Sequence, residues 1–378
     1  MTAIAQSIDE VWIKAPFRSN AGWAWRGAQF VWIIFLGLML ALQLDAAEQI
    51  GGDEQVSIKE PDWIGAVAFS PDATTVATGC ADGRARLRDA KTGREAVVLT
   101  GHSNCVVAMA FSANGKFLAT GSFDETARLW DVESGKMKWV LAGHRGAVVS
   151  VVCGAGMSKN SAAEKPPSRP ESEWLATGSI DATIKIWDVT TGRLKRTLRG
   201  HKSWVNALAF DSVNGRLISG SSDGTIKIWN VDSGRVVETI QATEAEVRAI
   251  AISSDGKRLA AGLRYGFVKI WENGKERLAF KGHESDVWSV AFAPNAKLVF
   301  SGDGDWNRAG QVKVWDAQSG ALLATIPHSG EVLSVRVSEK GSLAAGAGDG
   351  TLKVWGKIPH LFGSGDPTLN PKNNKTRN

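Results

Sequence analysis

"LISGSSDGTIKIW", residues 217–229, and "LAAGLRYGFVKIW", residues 259–271, are two versions of one pattern, 42 residues apart. Each holds an apolar run, a tight turn and a second run that closes on tryptophan. The closing position recurs at Arg88, Trp130, Trp187, Trp229, Trp271, Trp315 and Trp355, with gaps of 42, 57, 42, 42, 44 and 40 residues, which makes seven units. A period between about 20 and 50 residues marks a repeat architecture, in which each unit buries its apolar face against its neighbours.

Inside a unit the runs read as short strands. Asn214-Gly215 and Asp255-Gly256 separate the first two runs, and Ser233-Gly234 and Ser319-Gly320 follow the third. Glycine and asparagine tolerate the positive φ that tight hairpin turns need, so the strands follow one another antiparallel. A fourth run, such as "LKRTLRG" at 194–200, completes a four-stranded unit the size of one propeller blade.

"WD" stands at Trp130-Asp131, Trp187-Asp188 and Trp315-Asp316, and "GH" at positions 101–102, 143–144, 200–201 and 282–283. On these motifs the chain resembles the WD-repeat family over residues 55–358. The resemblance implies an all-β fold: a closed seven-bladed β-propeller of four-stranded antiparallel blades. It also implies that "EQVSIKE", residues 54–60, completes the last blade. Closure removes the sheet edges that invite aggregation.

The family's hydrogen-bonded tetrad of His, Ser or Thr, Asp and Trp maps onto three units. These are His102, Ser122, Asp124 and Trp130; His144, Ser179, Asp181 and Trp187; and His201, Ser221, Asp223 and Trp229. Repeated once per unit and ending on tryptophan, the set reads as structural, not as a nucleophilic triad. The other units depart from it. The first offers Glu60, Cys80, Asp82 and Arg88, and the fifth Thr243, Leu263, Tyr265 and Trp271. The sixth keeps His283 and Trp315 around Asp303 and Asp305, and the seventh keeps His328, Asp349 and Trp355 with Ala347.

Residues 1–26 form a basic segment, and 27–44 an uncharged apolar stretch. That stretch reads as an apolar helix, either a signal-peptide core or a transmembrane anchor, followed by a linker over 45–54. Lys14, Arg18 and Arg26 precede it, and Asp45, Glu48, Asp53 and Glu54 follow it. The positive-inside rule then puts the propeller outside the cytoplasm, periplasmic or membrane-anchored, with a cytoplasmic chain as the alternative. Membrane contact is expected through 27–44 alone. Two further segments break the repeat: a polar insertion at 154–173 and a disordered tail at 359–378.

The whole chain has 43% hydrophobic and 22% charged residues and a net charge of +5, which permits an acidic partner or membrane surface without identifying either. Cys80, Cys105 and Cys153 are odd in number and lack paired-cysteine spacing, so neither a disulfide framework, a metal site nor a cofactor is expected. Arg86, Arg128, Lys185, Lys227, Lys269, Lys313 and Lys353 recur two places before the closing position. They read as packed stems with solvated tips, and no nucleic-acid face is expected.

In the resembled family, loops between blades and loops between the second and third strands share the narrow face. Their equivalents here offer Trp63, Phe123, Ile180 and Trp204 on one side, and Glu244, Glu246, Glu284, Asp286 and Glu331 on the other. Arg264 and Tyr265 fall between the halves, and an insertion in the sixth unit adds Trp306 and Arg308. Aromatic anchors beside charge fit a monomeric, non-catalytic scaffold that binds a protein or peptide with a basic segment. The alternative is a propeller enzyme, a metal-assisted hydrolase with calcium held in the channel among Glu246, Asp286 and Glu331.

Overall fold

The computed structural model describes residues 54–155, 173–305 and 308–356. These residues build seven four-stranded antiparallel sheets, each the blade of a propeller. Blade one runs outward through Ile64–Phe69, Thr75–Cys80, Arg84–Asp89 and Glu95–Thr100. Blades two to six repeat this order along the chain. Blade seven takes its three inner strands, Val332–Val337, Leu343–Ala347 and Thr351–Trp355, from the end of the chain. Its outermost strand, Glu54–Lys59, comes from the beginning. Ser57 pairs with Lys353 and Lys59 with Thr351, so the ring is closed by strand pairing.

One contact, repeated around the ring, shows why this sequence packs as blades. The first residue of each innermost strand (Ile64, Val106, Val148, Val205, Val247, Val287 and Val332) is fully buried. Each presses against the second strand of the preceding blade, where a glycine stands. A Cβ added at Gly79 would lie 2.8 Å from Val106, and one at Gly220 would lie 2.6 Å from Val247. The closing pair is Gly346 against Ile64, at 2.6 Å. Any side chain at these glycines would push adjacent blades apart, which accounts for the repeated Thr-Gly, Ser-Gly and Ala-Gly pairs in the second strands.

One sequence boundary changes. The insertion in blade three is shorter than 154–173, because Gly154 pairs with Trp174 and Ala155 with Glu173 in strands Val148–Ala155 and Glu173–Ser179. The helix expected over 27–44, the tail at 359–378 and Trp306 lie outside the described residues. Among the described residues no helix is long and apolar enough to cross a membrane, and the one helical element is a 3-10 turn at Arg264–Gly266.

Candidate partner-binding face

Beneath the loop face, a hydrogen-bonded relay ties each intact blade together. In blade three Trp187 Nε1 donates to Thr177 Oγ1 at 2.9 Å, His144 Nε2 lies 2.8 Å from the same oxygen, and His144 Nδ1 lies 2.9 Å from Asp181 Oδ2. An indole N–H can only donate and a carboxylate can only accept, so Trp187 donates to Thr177 and His144 Nδ1–H donates to Asp181. Burial lowers the histidine's pKa, outweighing the nearby Asp181, and so favours the neutral imidazole, whose Nε2 then accepts from Thr177. Burial would raise Asp181, but hydrogen bonds from Thr183, the Arg145 amide and His144 hold it down at about 2.

The relay hydroxyl is not the serine expected from the sequence. Thr120, Thr177 and Ser219 occupy it in blades two, three and four, two residues before Ser122, Ser179 and Ser221. Those serines serve the turn instead: Ser179 Oγ donates to Gly146 O and accepts from Asp181 N, and Ser122 and Ser221 do the same in their blades. Side chains two apart on a strand share a face, so spacing alone did not choose between them. The corrected register reveals a partial fourth relay in blade six, where Ser301 Oγ accepts from Trp315 Nε1 at 2.7 Å and lies 2.6 Å from His283 Nε2, while His283 Nδ1 stands 3.2 Å from Asp303 without a hydrogen bond.

The remaining blades solve the same position differently. Blade one replaces histidine and tryptophan with an ion pair: Glu60, 2% exposed, accepts from Thr78 Oγ1 at 2.9 Å and from Arg88 Nε at 3.0 Å. Blade five has Ala261 at the hydroxyl position, and Leu263 is buried in its apolar cluster. Blade seven has Ala345 there, and both ring nitrogens of buried His328 lack a partner. Burial pushes that imidazole down to about 4.

On the face above, the two loop sets meet through backbone hydrogen bonds. Phe123 N donates to Cys105 O, Ile180 N to Ala147 O, Ser222 N to Trp204 O, Arg264 N to Glu246 O and Gly348 N to Glu331 O. Trp204 is 49% exposed, Phe123 43% and Tyr265 57%. Tyr265 also stands at φ 65°, a region costly for a bulky L-residue. Its amide donates to Asp286 Oδ1 at 2.9 Å, and Arg264 lies over its ring at 5.1 Å. Trp63 and Ile180 are half-buried, covering Gly65 and Gly146.

The acidic half is largely neutralised within the chain. Glu246 bonds Arg248 and Arg264, each at 2.9 Å, and Asp286 bonds Arg248 at 3.2 Å. Arg308 is shared between exposed Glu284 and buried Asp303. Glu331 is buried beside Gly304 and Gly348, and its pKa is raised by that burial and by Asp305. The calcium reading fails on this geometry: two of its three carboxylates are held by arginines. Among the described residues no group of three or more His, Cys, Asp or Glu side chains can hold a metal.

Seven consecutive segments, residues 53–89, 93–131, 135–188, 192–230, 234–272, 274–316 and 320–356, match the family described as WD domain, G-beta repeat (WD40). The chain belongs to the WD40 family. It is 29% identical over 163 residues to the Transcriptional corepressor LEUNIG_HOMOLOG of Arabidopsis thaliana, covering 43% of this chain and 20% of that protein. It is 34% identical over 158 residues to the Nuclear distribution protein PAC1 of Coccidioides posadasii, covering 42% and 26%. The Lissencephaly-1 homolog of Heterostelium pallidum is 42% identical over 64 residues, 17% of this chain and 15% of that protein. The matches thus span about a quarter or less of these relatives' own length.

These WD40 relatives correct the expectation of an exported or anchored propeller. They are named for transcriptional corepression and nuclear distribution, and neither name carries a signal, transmembrane or periplasmic setting. The basic ring is also accounted for within the WD40 blades: Lys185 Nζ bonds Thr197, Lys227 bonds Thr239, Lys313 bonds Gly282 O and Arg86 bonds Asp82. Sequence reasoning missed Arg248, Trp288 and Arg336, which line the central channel. All three stand inside innermost strands whose overall apolar character hid them.

Proposed function

We propose that this WD40 propeller is a non-catalytic docking platform that holds a protein or peptide segment on its loop face. Exposed Phe123, Trp204 and Tyr265 are its anchors. The observation that carries the reading is their joint exposure on loops of one face, with Phe123 and Trp204 on blades two and four, whose relays are intact. Large aromatic side chains held out in water by a fixed backbone provide contact area at small entropic cost on binding. Tyr265 adds a left-handed backbone that a glycine would adopt more easily, and strain of this kind gathers at binding sites.

Affinity comes from the aromatic side and not from the acidic one. A basic partner segment would compete with Arg248 and Arg264 for Glu246 and Asp286. The relatives reported above are named as a corepressor and nuclear distribution proteins, not as enzymes, which supports a platform role. The test is a pull-down from native-cell lysate with the full chain and its Trp204→Ala/Phe123→Ala variant. Truncating two anchors should lower captured prey by at least about tenfold, since a single hot-spot residue is worth about 2 kcal/mol. Undiminished prey would overturn the assignment.

A further inference from the structure

We propose that the central channel holds one small oxyanion, of the kind represented by inorganic phosphate, at the Arg336 guanidinium. The register points to it first. At the fifth place of the innermost strands the other blades carry Ala68, Ala110, Val152, Ala209, Ala251 and Ala291, whereas blade seven carries Arg336. That arginine lines both halves of the channel: a cavity of about 110 Å³ toward the loop face and one of about 470 Å³ toward the opposite face.

Among the described residues its charge is uncompensated. Arg336 Nη1 donates to Ser289 Oγ at 3.2 Å and to Val335 O at 2.8 Å, and among the described residues no carboxylate pairs with it. Burial pushes its pKa below the ordinary arginine range. Arginine nevertheless keeps its proton in proteins, so the fold retains a cation without a counterion in a confined space, which is costly unless an anion completes it. Arg248, also in the channel, shows the contrast, because Glu246 and Asp286 both pair with it. Glu339 lines the lower cavity and makes no ion pair with Arg336.

The surroundings suit an anion. Each innermost strand pairs on one side only, so its other edge faces the channel with backbone N–H groups. Ser289 and Ser334 already accept two of these, from Val335 N at 2.9 Å and Val67 N at 3.1 Å, and Ser150 and Asn206 add polar side chains to the upper cavity. A single water needs roughly 10–15 Å³ of such space, so the upper cavity has room for a tetrahedral oxyanion with several waters.

The test is calorimetric titration of the full chain with sodium phosphate at ionic strength held constant with sodium chloride. The expected result is saturable binding of one phosphate per chain, weakened at least about tenfold in Arg336→Met and partly retained in Arg336→Lys. Arg336→Met should melt no lower than the parent in phosphate-free buffer, because it removes an uncompensated cation, and phosphate should raise the parent's melting temperature alone. Absence of saturable binding, equal binding by Arg336→Met, or a misfolded Arg336→Met would each overturn the proposal. A phosphoserine peptide that binds at Arg336 more tightly than inorganic phosphate would overturn the free-ion assignment.

Discussion

Replacing Thr177 with valine removes one oxygen from the centre of blade three and keeps the branched shape that suits the strand. Thr177 is fully buried, and that oxygen accepts from Trp187 Nε1 at 2.9 Å and meets His144 Nε2 at 2.8 Å. The substitution leaves two buried polar groups without partners where water has no access, at about 1–3 kcal/mol each. The expected loss is therefore about 2–6 kcal/mol. Ser179→Ala removes bonds to a turn, Gly146 O at 3.0 Å and Asp181 N at 3.1 Å, and should cost about 1–2 kcal/mol. Urea unfolding followed by tryptophan fluorescence measures both, read as midpoint shifts at unchanged slope. If Ser179→Ala cost as much as Thr177→Val, or if Thr177→Val cost under about 1 kcal/mol, the relay would be wrongly assigned.

Three further outcomes follow from the same geometry. Gly220→Ala should destabilise by about 1–3 kcal/mol by wedging blade four from Val247 of blade five, and a neutral melting temperature would refute the interlock. Ala345→Ser should restore the missing hydroxyl beneath His328 and raise the unfolding free energy by about 1 kcal/mol, whereas a lowered urea midpoint would show that the site cannot seat it. His328 falls from 6.5 to about 4 on folding, so the unfolded chain binds more protons between those values and stability drops as pH falls through that window. The loss approaches about 3 kcal/mol near pH 4; His328→Leu should flatten this slope, and an unchanged slope would contradict it.

Much of the fold was legible because its cause is periodic. The closing tryptophans, the hairpin glycines and the strand 54–60 each recur or sit where ring closure needs them, and the structure uses them so. The polar relay was legible in kind but not in register, since Thr177 and Ser179 lie on one face of a strand and only depth separates them. Charge on the loop face misled for a different reason. Sequence gives the sign of Glu246 and Asp286 but not that Arg248, from inside an apolar-looking strand, reaches both. Arg336 stayed unnoticed in the same way within "VLSVRV", residues 332–337, although comparing registers across the seven blades exposes it.

The claim that the loop face docks a partner is tested most directly by photo-crosslinking in the native cell, with a photoreactive residue placed at position 204 and, as reference, at exposed position 98 on the outermost strand of blade one. The account predicts a discrete protein adduct from position 204, lost when Phe123 is changed to alanine, and none from position 98. Adducts from position 98 with none from position 204 would contradict it.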